Sequence, residues 1–238
     1  MKKILLQTSA LIVCSQPLMA AEPDKKQEWK ASAEVGYVST TGNTETDTIN
    51  AKASATNKRE KWRHKLQLTA LNTSAAAGTT AEKYTVMGQT DYLYKAPNYL
   101  FANVSYEKDR FSGFEYQTAE NIGYGRRVVD KPKMKLDLEI GPGARQTKVE
   151  NVSSENEATL RVALKYKWDI SKTSKFSEVL TVSGGEDITI TKSVASLTSK
   201  VEGNLSMKVT YTYKQTSEVP VGTDDTDTET AITLVYTF

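Results

Sequence analysis

The chain has 238 residues, with 31 basic and 29 acidic side chains, 38% hydrophobic residues, one histidine and one cysteine. Near-balanced charge argues against a nucleic-acid partner, which calls for a basic stripe. No run of about 20 apolar residues occurs, so no transmembrane helix is expected. Mean hydropathy is negative, as in barrels where only every second residue meets lipid.

Residues 1–21 read as an export signal. Lys2 and Lys3 form a basic start, Ile4 to Leu18 is mostly apolar, and Ala20 or Ala21 offers a small-residue cleavage site. The segment is too short to span as a helix. It holds Cys14, so its removal leaves neither disulfide nor thiol chemistry. Leu11-Ile12-Val13-Cys14 has the outline of a lipidation box, but Val13 is large where a small residue belongs. Losing Lys2 and Lys3 takes two from the 31 basic residues and balances them against the 29 acidic ones. Residues 22–28 are polar and form a short periplasmic lead-in.

From Trp29 onward the chain divides into runs of about 10 to 14 residues separated by turn signals, the rhythm of barrel strands. Twelve strands are expected: 29–40, 44–57, 61–73, 81–95, 99–110, 115–129, 134–148, 156–170, 175–184, 188–201, 205–217 and a last one ending at Phe238. Turn signals between them include Thr41-Gly42-Asn43, Ala96-Pro97-Asn98, Asp130-Lys131-Pro132-Lys133 and Glu202-Gly203-Asn204, and small residues mark a loop at 74–80. The eighth run sets Leu160, Val162, Leu164, Tyr166 and Trp168 on one face and Thr159, Arg161, Ala163, Lys165 and Lys167 on the other. The third sets Trp62, Leu66 and Leu68 against Arg63, Lys65 and Gln67. The ninth alternates least cleanly, because Glu178 falls among its apolar positions. The pattern predicts an all-β, transmembrane antiparallel β-barrel of about twelve strands over residues 29–238.

A soluble barrel would alternate too, but it has no reason to sort aromatics by height. With the first strand running outward, Trp29, Trp62, Tyr94, Trp168, Phe176 and Phe238 collect at the periplasmic rim. Tyr37, Tyr84, Tyr106, Tyr116 and Tyr213 collect at the other. Two girdles suit amphipathic rings at the two membrane interfaces. The last residues put Ile232, Leu234, Tyr236 and Phe238 on one face, and this ending resembles the C-terminal assembly signal of bacterial outer-membrane barrels.

His64, the one histidine, falls on the apolar face near the periplasmic rim. A catalytic triad or metal site would need partners outside the barrel, so neither an enzyme nor a metal or other cofactor is expected. The inward face carries the charge: Arg63, Lys65, Arg127, Arg161, Lys165 and Lys208, with Asp91, Glu107, Asp109, Asp137 and Glu139. Two readings stay open: ion pairs that plug the lumen, or a narrow pore that favours anions. Gly123, Gly125, Gly141 and Gly143 point inward on neighbouring strands, either bending the sheet with the help of Pro142 or widening the lumen. Phe111 and Phe114 could fold over the mouth. Asp224, Asp225 and Asp227 form an outer acidic loop. Lys108, Arg110 and Lys148 point outward near the same rim, within reach of lipid phosphates.

The stretch Ser105 to Tyr116 (SYEKDRFSGFEY), Gly123-Tyr124-Gly125, Leu138-Glu139-Ile140-Gly141-Pro142-Gly143 and the entry Ser39 to Thr46 (STTGNTET) resemble the salt-induced outer-membrane proteins, a family otherwise known as a domain of unknown function. The resemblance spans the chain after the signal. It implies an outer-membrane barrel and supplies neither reaction nor ligand. The expectation is therefore a monomeric barrel in the bacterial outer membrane. Its partners would be lipid, lipopolysaccharide and, during biogenesis, the barrel-assembly machinery. It would serve as a small passive solute channel or as a stress-linked envelope protein with a blocked lumen.

Overall fold

A computed structural model describes residues 28–40, 46–75, 78–110, 114–149, 154–219, 222 and 224–238. The export signal with Cys14, the lead-in up to residue 27, the Thr41-Gly42-Asn43 turn and Phe111 lie outside them. Twelve strands form one closed barrel: β1 (Glu28–Thr40), β2 (Thr46–Lys58), β3 (Trp62–Ala75), β4 (Gly78–Lys95), β5 (Asn98–Asp109), β6 (Phe114–Asp130), β7 (Met134–Val149), β8 (Glu155–Asp169), β9 (Ser174–Gly184), β10 (Thr189–Glu202), β11 (Leu205–Thr216) and β12 (Thr226–Thr237). Each pairs antiparallel with its neighbours in sequence. The ring closes between β1 and β12, where Ser32 faces Thr237 and Val35 faces Leu234. Closure removes every sheet edge, which a strand structure in lipid requires.

Strand length is set by neighbours as well as by composition. The expected loop at 74–80 is mostly strand: Ser74 pairs with Thr79 and Ala75 with Gly78. Small residues have modest strand preference, and hydrogen bonding across the hairpin overrides it. Connections at the rim that carries Glu28 and Thr237 are short. Lys131 and Met134 exchange both backbone hydrogen bonds, at 2.8 and 3.2 Å, around Pro132-Lys133. Gly203 takes a φ of 51° in the two-residue link between β10 and β11, a left-handed conformation open to glycine.

Alternation decides what faces where. Along β8, Leu160 and Val162 are 54% and 46% exposed while Arg161 between them is 8% exposed. The same holds around the ring: Val35, Leu66, Val104, Ile122, Leu197 and Ile232 lie bare on the outside. The buried side chains are mostly polar, among them Glu34, Asp91, Asp137, Glu139, Arg145 and Lys214. This inverts a soluble core. Trp29, Trp62, Tyr94, Trp168, Tyr236 and Phe238 are exposed at the terminal rim, and Tyr37, Tyr84, Tyr106 and Tyr211 toward the far rim. A twelve-residue strand tilted by about 40° rises about 30 Å, the thickness of a bilayer's hydrocarbon layer. Leu234 belongs to the same bare outer face, as Tyr236 and Phe238 do.

Candidate functional site, a charged lumen crossed by ion pairs

Inward side chains cannot reach bulk water freely, so charges there pair. Two clusters dominate the described interior. The first lies toward the far rim, around Glu107 on β5. Lys214 Nζ of β11 stands 2.7 Å from its carboxylate, Lys83 of β4 at 3.5 Å and Lys192 of β10 at 3.8 Å. Lys83 also reaches Asp109 at 3.2 Å. In the ring, β5 and β11 are six strands apart by either path, so the Glu107–Lys214 pair crosses the bore.

That contact fixes the barrel's shape. A round twelve-stranded barrel is about 24 Å across at ordinary strand spacing and tilt. Extended lysine and glutamate side chains reach about 6 and 5 Å from Cα. With 2.7 Å between their charged atoms, β5 and β11 come within about 14 Å of each other. The cross-section is therefore an oval, pinched between these strands.

The second cluster centres on Glu139 of β7, whose side chain has no exposed surface. Its carboxylate accepts hydrogen bonds from Lys165 (2.5 Å), Arg161 (3.0 Å), the Tyr99 hydroxyl (2.9 Å) and Gln89 (3.0 Å). Gln89 also donates to Asp91 at 2.7 Å and accepts from Lys165 at 2.9 Å, while Arg63 holds Asp91 at 2.5 Å. Arg63 lies over the Tyr99 ring and Arg161 over Phe101, with centroid distances of 5.2 and 5.4 Å. Beside this network Arg127 grips Asp137 with two bonds, at 2.7 and 3.1 Å.

The inward glycines explain how the network crosses the wall. Tyr99, Gly125 and Glu139 fall in one lateral row on β5, β6 and β7. A Cβ on Gly125 would sit 2.2 Å from the Tyr99 ring, so the phenol lies flat across β6 through the space a side chain would take. Asn121 uses the space at Gly143 in the same way. At Gly123 and Gly141 the obstacle is the opposing backbone itself, 2.3 and 2.0 Å from the ideal Cβ positions. These two permit the close strand approach beside Pro142. The glycines thus serve curvature and flat packing, and the lumen is filled there, not widened.

Of the inward residues singled out by alternation, Arg63, Asp91, Arg127, Asp137, Glu139, Arg161 and Lys165 join on the β3–β8 wall. Glu107 and Asp109 share Lys83, and Lys208 pairs with Glu34 at 3.1 Å. Lys65 stands apart, with no carboxylate within 4 Å among the described residues. Sequence reading passed over Lys83, Lys192, Lys214, Gln89, Tyr99 and Arg145, the last paired with Glu157. Parity marks all but Lys192 as inward; nothing in parity says which inward groups meet.

Outside the barrel, His64 lies 3.0 Å from the Thr90 hydroxyl and stacks on Trp62 at 5.9 Å. Glu178 faces outward, its carboxylate 3.4 Å from the Ser193 hydroxyl. Arg110 pairs with Glu82 at 2.5 Å and Lys148 with Glu115 at 2.7 Å, so both cations already have carboxylates beside them. Phe114 is buried at the start of β6.

A bare apolar wall belted by aromatics around a polar, ion-paired interior is built for lipid outside and water within. Solved structures of bacterial outer-membrane barrels share the fold. The NanC porin superposes with a TM-score of 0.55 at 8% identity, over 88% of this chain and 98% of that one. An outer-membrane channel from Pseudomonas putida F1 gives 0.51 at 11% identity, over 92% and 97%. The protein YdiY of Escherichia coli (strain K12) is 28% identical over 229 residues, 96% of this chain and 88% of YdiY. A bacterial outer-membrane β-barrel by architecture, the chain belongs to the family described as "Protein of unknown function, DUF481", whose model matches residues 33–238.

Proposed function

We propose that the barrel is a narrow passive channel for small hydrophilic solutes, leaning toward anions, and that it acts as a monomer in the outer membrane. One observation carries the reading. Lys65 and Lys167 project inward from β3 and β8 yet keep exposed side chains, so the part of the terminal half beside them is open to solvent, next to the packed Glu139 network. A lumen lined by ammonium groups attracts anions and repels cations, as charged rings do in other pores. The names of two proteins with this fold, a porin and a channel, agree with the reading without carrying it.

The competing reading is a structural envelope barrel with a blocked lumen. It has its own observation, the Glu107–Lys214 pair that ties opposite walls together toward the far rim. Planar-bilayer recording of refolded protein separates the two. The channel reading expects discrete openings and, under a potassium chloride gradient, a reversal potential shifted toward chloride. Silence from protein whose heat-modifiable gel migration proves it folded would overturn the channel and favour the blocked barrel.

A further inference from the structure

Away from the rims, pairing is the rule inside this barrel. Arg63, Lys83, Arg127, Arg145, Arg161 and Lys214 each have a carboxylate within 4 Å. On β2, β3, β7 and β8, five inward lysines have no carboxylate within 4 Å among the described residues: Lys52 and Lys58 on β2, Lys65 on β3, Lys135 on β7 and Lys167 on β8. Lys52, Lys65 and Lys167 are not scattered. Lys65 lies within electrostatic range of both Lys52 and Lys167, and of Lys165 and Lys208. The latter two are shared with Glu139 and Glu34, so the group as a whole carries an excess of positive charge.

Like charges held together cost free energy that any counter-charge recovers. The register partners of Lys52 and Lys65 across β2 and β3 supply no counter-charge: Lys52 faces Thr69 and Lys65 faces Thr56, both uncharged. We infer that Lys52, Lys65 and Lys167 form a binding station for small solutes carrying two or more carboxylate or phosphate groups, the solute supplying the anion that the wall withholds. Lysine rather than arginine sets the breadth of this preference. An ammonium is a point charge without the planar fork of guanidinium, so the station reads charge and spacing and accepts carboxylates and phosphates alike. The station names the solute class of the channel proposed above and rests on that reading for its purpose, but binding itself does not require an open pore.

The test uses the refolded full chain in detergent micelles, titrated calorimetrically with citrate, pyrophosphate and, as a neutral solute, glucose. Citrate and pyrophosphate should bind at low ionic strength, glucose should not, and added salt should weaken both anions. Lys65→Gln and Lys167→Gln should each weaken citrate binding about fivefold, the worth of one unit charge at 4 Å in water. Lys172→Gln, in the turn between β8 and β9, should leave it unchanged. Heat-modifiable migration certifies that each variant is folded; Lys52→Gln serves if one of the others is not. Citrate binding that is absent, matched by glucose, or indifferent to all three lysines would overturn the station. Citrate binding without pyrophosphate binding in the wild-type chain would overturn its indifference to the anion. Conductance in bilayers without citrate binding would sink the station and spare the channel; citrate binding by a silent barrel would do the reverse.

Discussion

At Gly125 a missing side chain is what holds a hydrogen bond in place. The Tyr99 ring occupies the volume a Cβ would fill, and its hydroxyl reaches Glu139 at 2.9 Å on the far side of β6. Alanine at 125 would force the ring off the wall and break the phenol–carboxylate bond. Gly125→Ala should therefore cost about 1–3 kcal/mol, the range for overpacking a filled site. In a Tyr99→Ala background the ring that crowds the site is gone and the same substitution should cost less. Guanidinium unfolding in micelles, followed by tryptophan fluorescence, would measure the cycle; additive penalties would show that the ring and the glycine do not meet. This is also where sequence reading stopped. Alternation with a period of two assigns a face to Arg63, Glu139 and Arg161 without ambiguity. It does not align one strand with the next, so the row Tyr99–Gly125–Glu139 is invisible until register is known. Lys192 was passed over for a plainer reason: in Ile190-Thr191-Lys192-Ser193 the outward positions are polar too, and no contrast marks the inward one.

At the scale of the strand, the apolar band ends where the aromatics begin, and the tryptophans record that height. Trp29 near the start of β1, Trp62 at the start of β3 and Trp168 near the end of β8 all sit outward on the terminal rim, 62%, 43% and 40% exposed. Indole prefers the headgroup boundary, where its ring is half wet. In vesicles of lipids brominated near the headgroup, fluorescence of the folded barrel should be strongly quenched. Lipids brominated near the chain ends should quench little, because no tryptophan lies at mid-height. Strong quenching from the chain ends would place the barrel at another depth or tilt. Strand number and order were legible because each strand is one alternating run closed by a turn signal. The 74–80 stretch was not, since Ala75 and Gly78 owe their strand geometry to each other across the hairpin and not to their own propensity.

For the whole molecule, the pinch between β5 and β11 joins shape to conduction. Glu107 is held by Lys83, Lys192 and Lys214 from three other strands, and Lys214 comes from the opposite wall. Any solute that passes the far half of the bore must go around or through this bar. Two substitutions break it with opposite effects on charge. Glu107→Gln frees Lys192 and Lys214, leaves Lys83 on Asp109, and makes the mouth more positive. Lys214→Gln leaves Glu107 facing Lys83 and Lys192, with one positive charge fewer. If the bar is the constriction, single-channel conductance rises in both variants. Anion preference should rise in the first and fall in the second, because lumenal charge sets selectivity. Conductance unchanged in both would move the constriction elsewhere, toward the Glu139 network. Conductance raised in Glu107→Gln alone would mean that charge and not width limits flow. Glu107→Gln carries a stability cost as well, since Lys214 is buried and loses its only close carboxylate among the described residues; stranding a buried charge in this way costs about 3–5 kcal/mol. Lys214→Gln strands nothing, because its carboxylate keeps two other lysines. The lysine variant is therefore the cleaner probe of width, and the pair together separates what the bar does by filling space from what it does by charge.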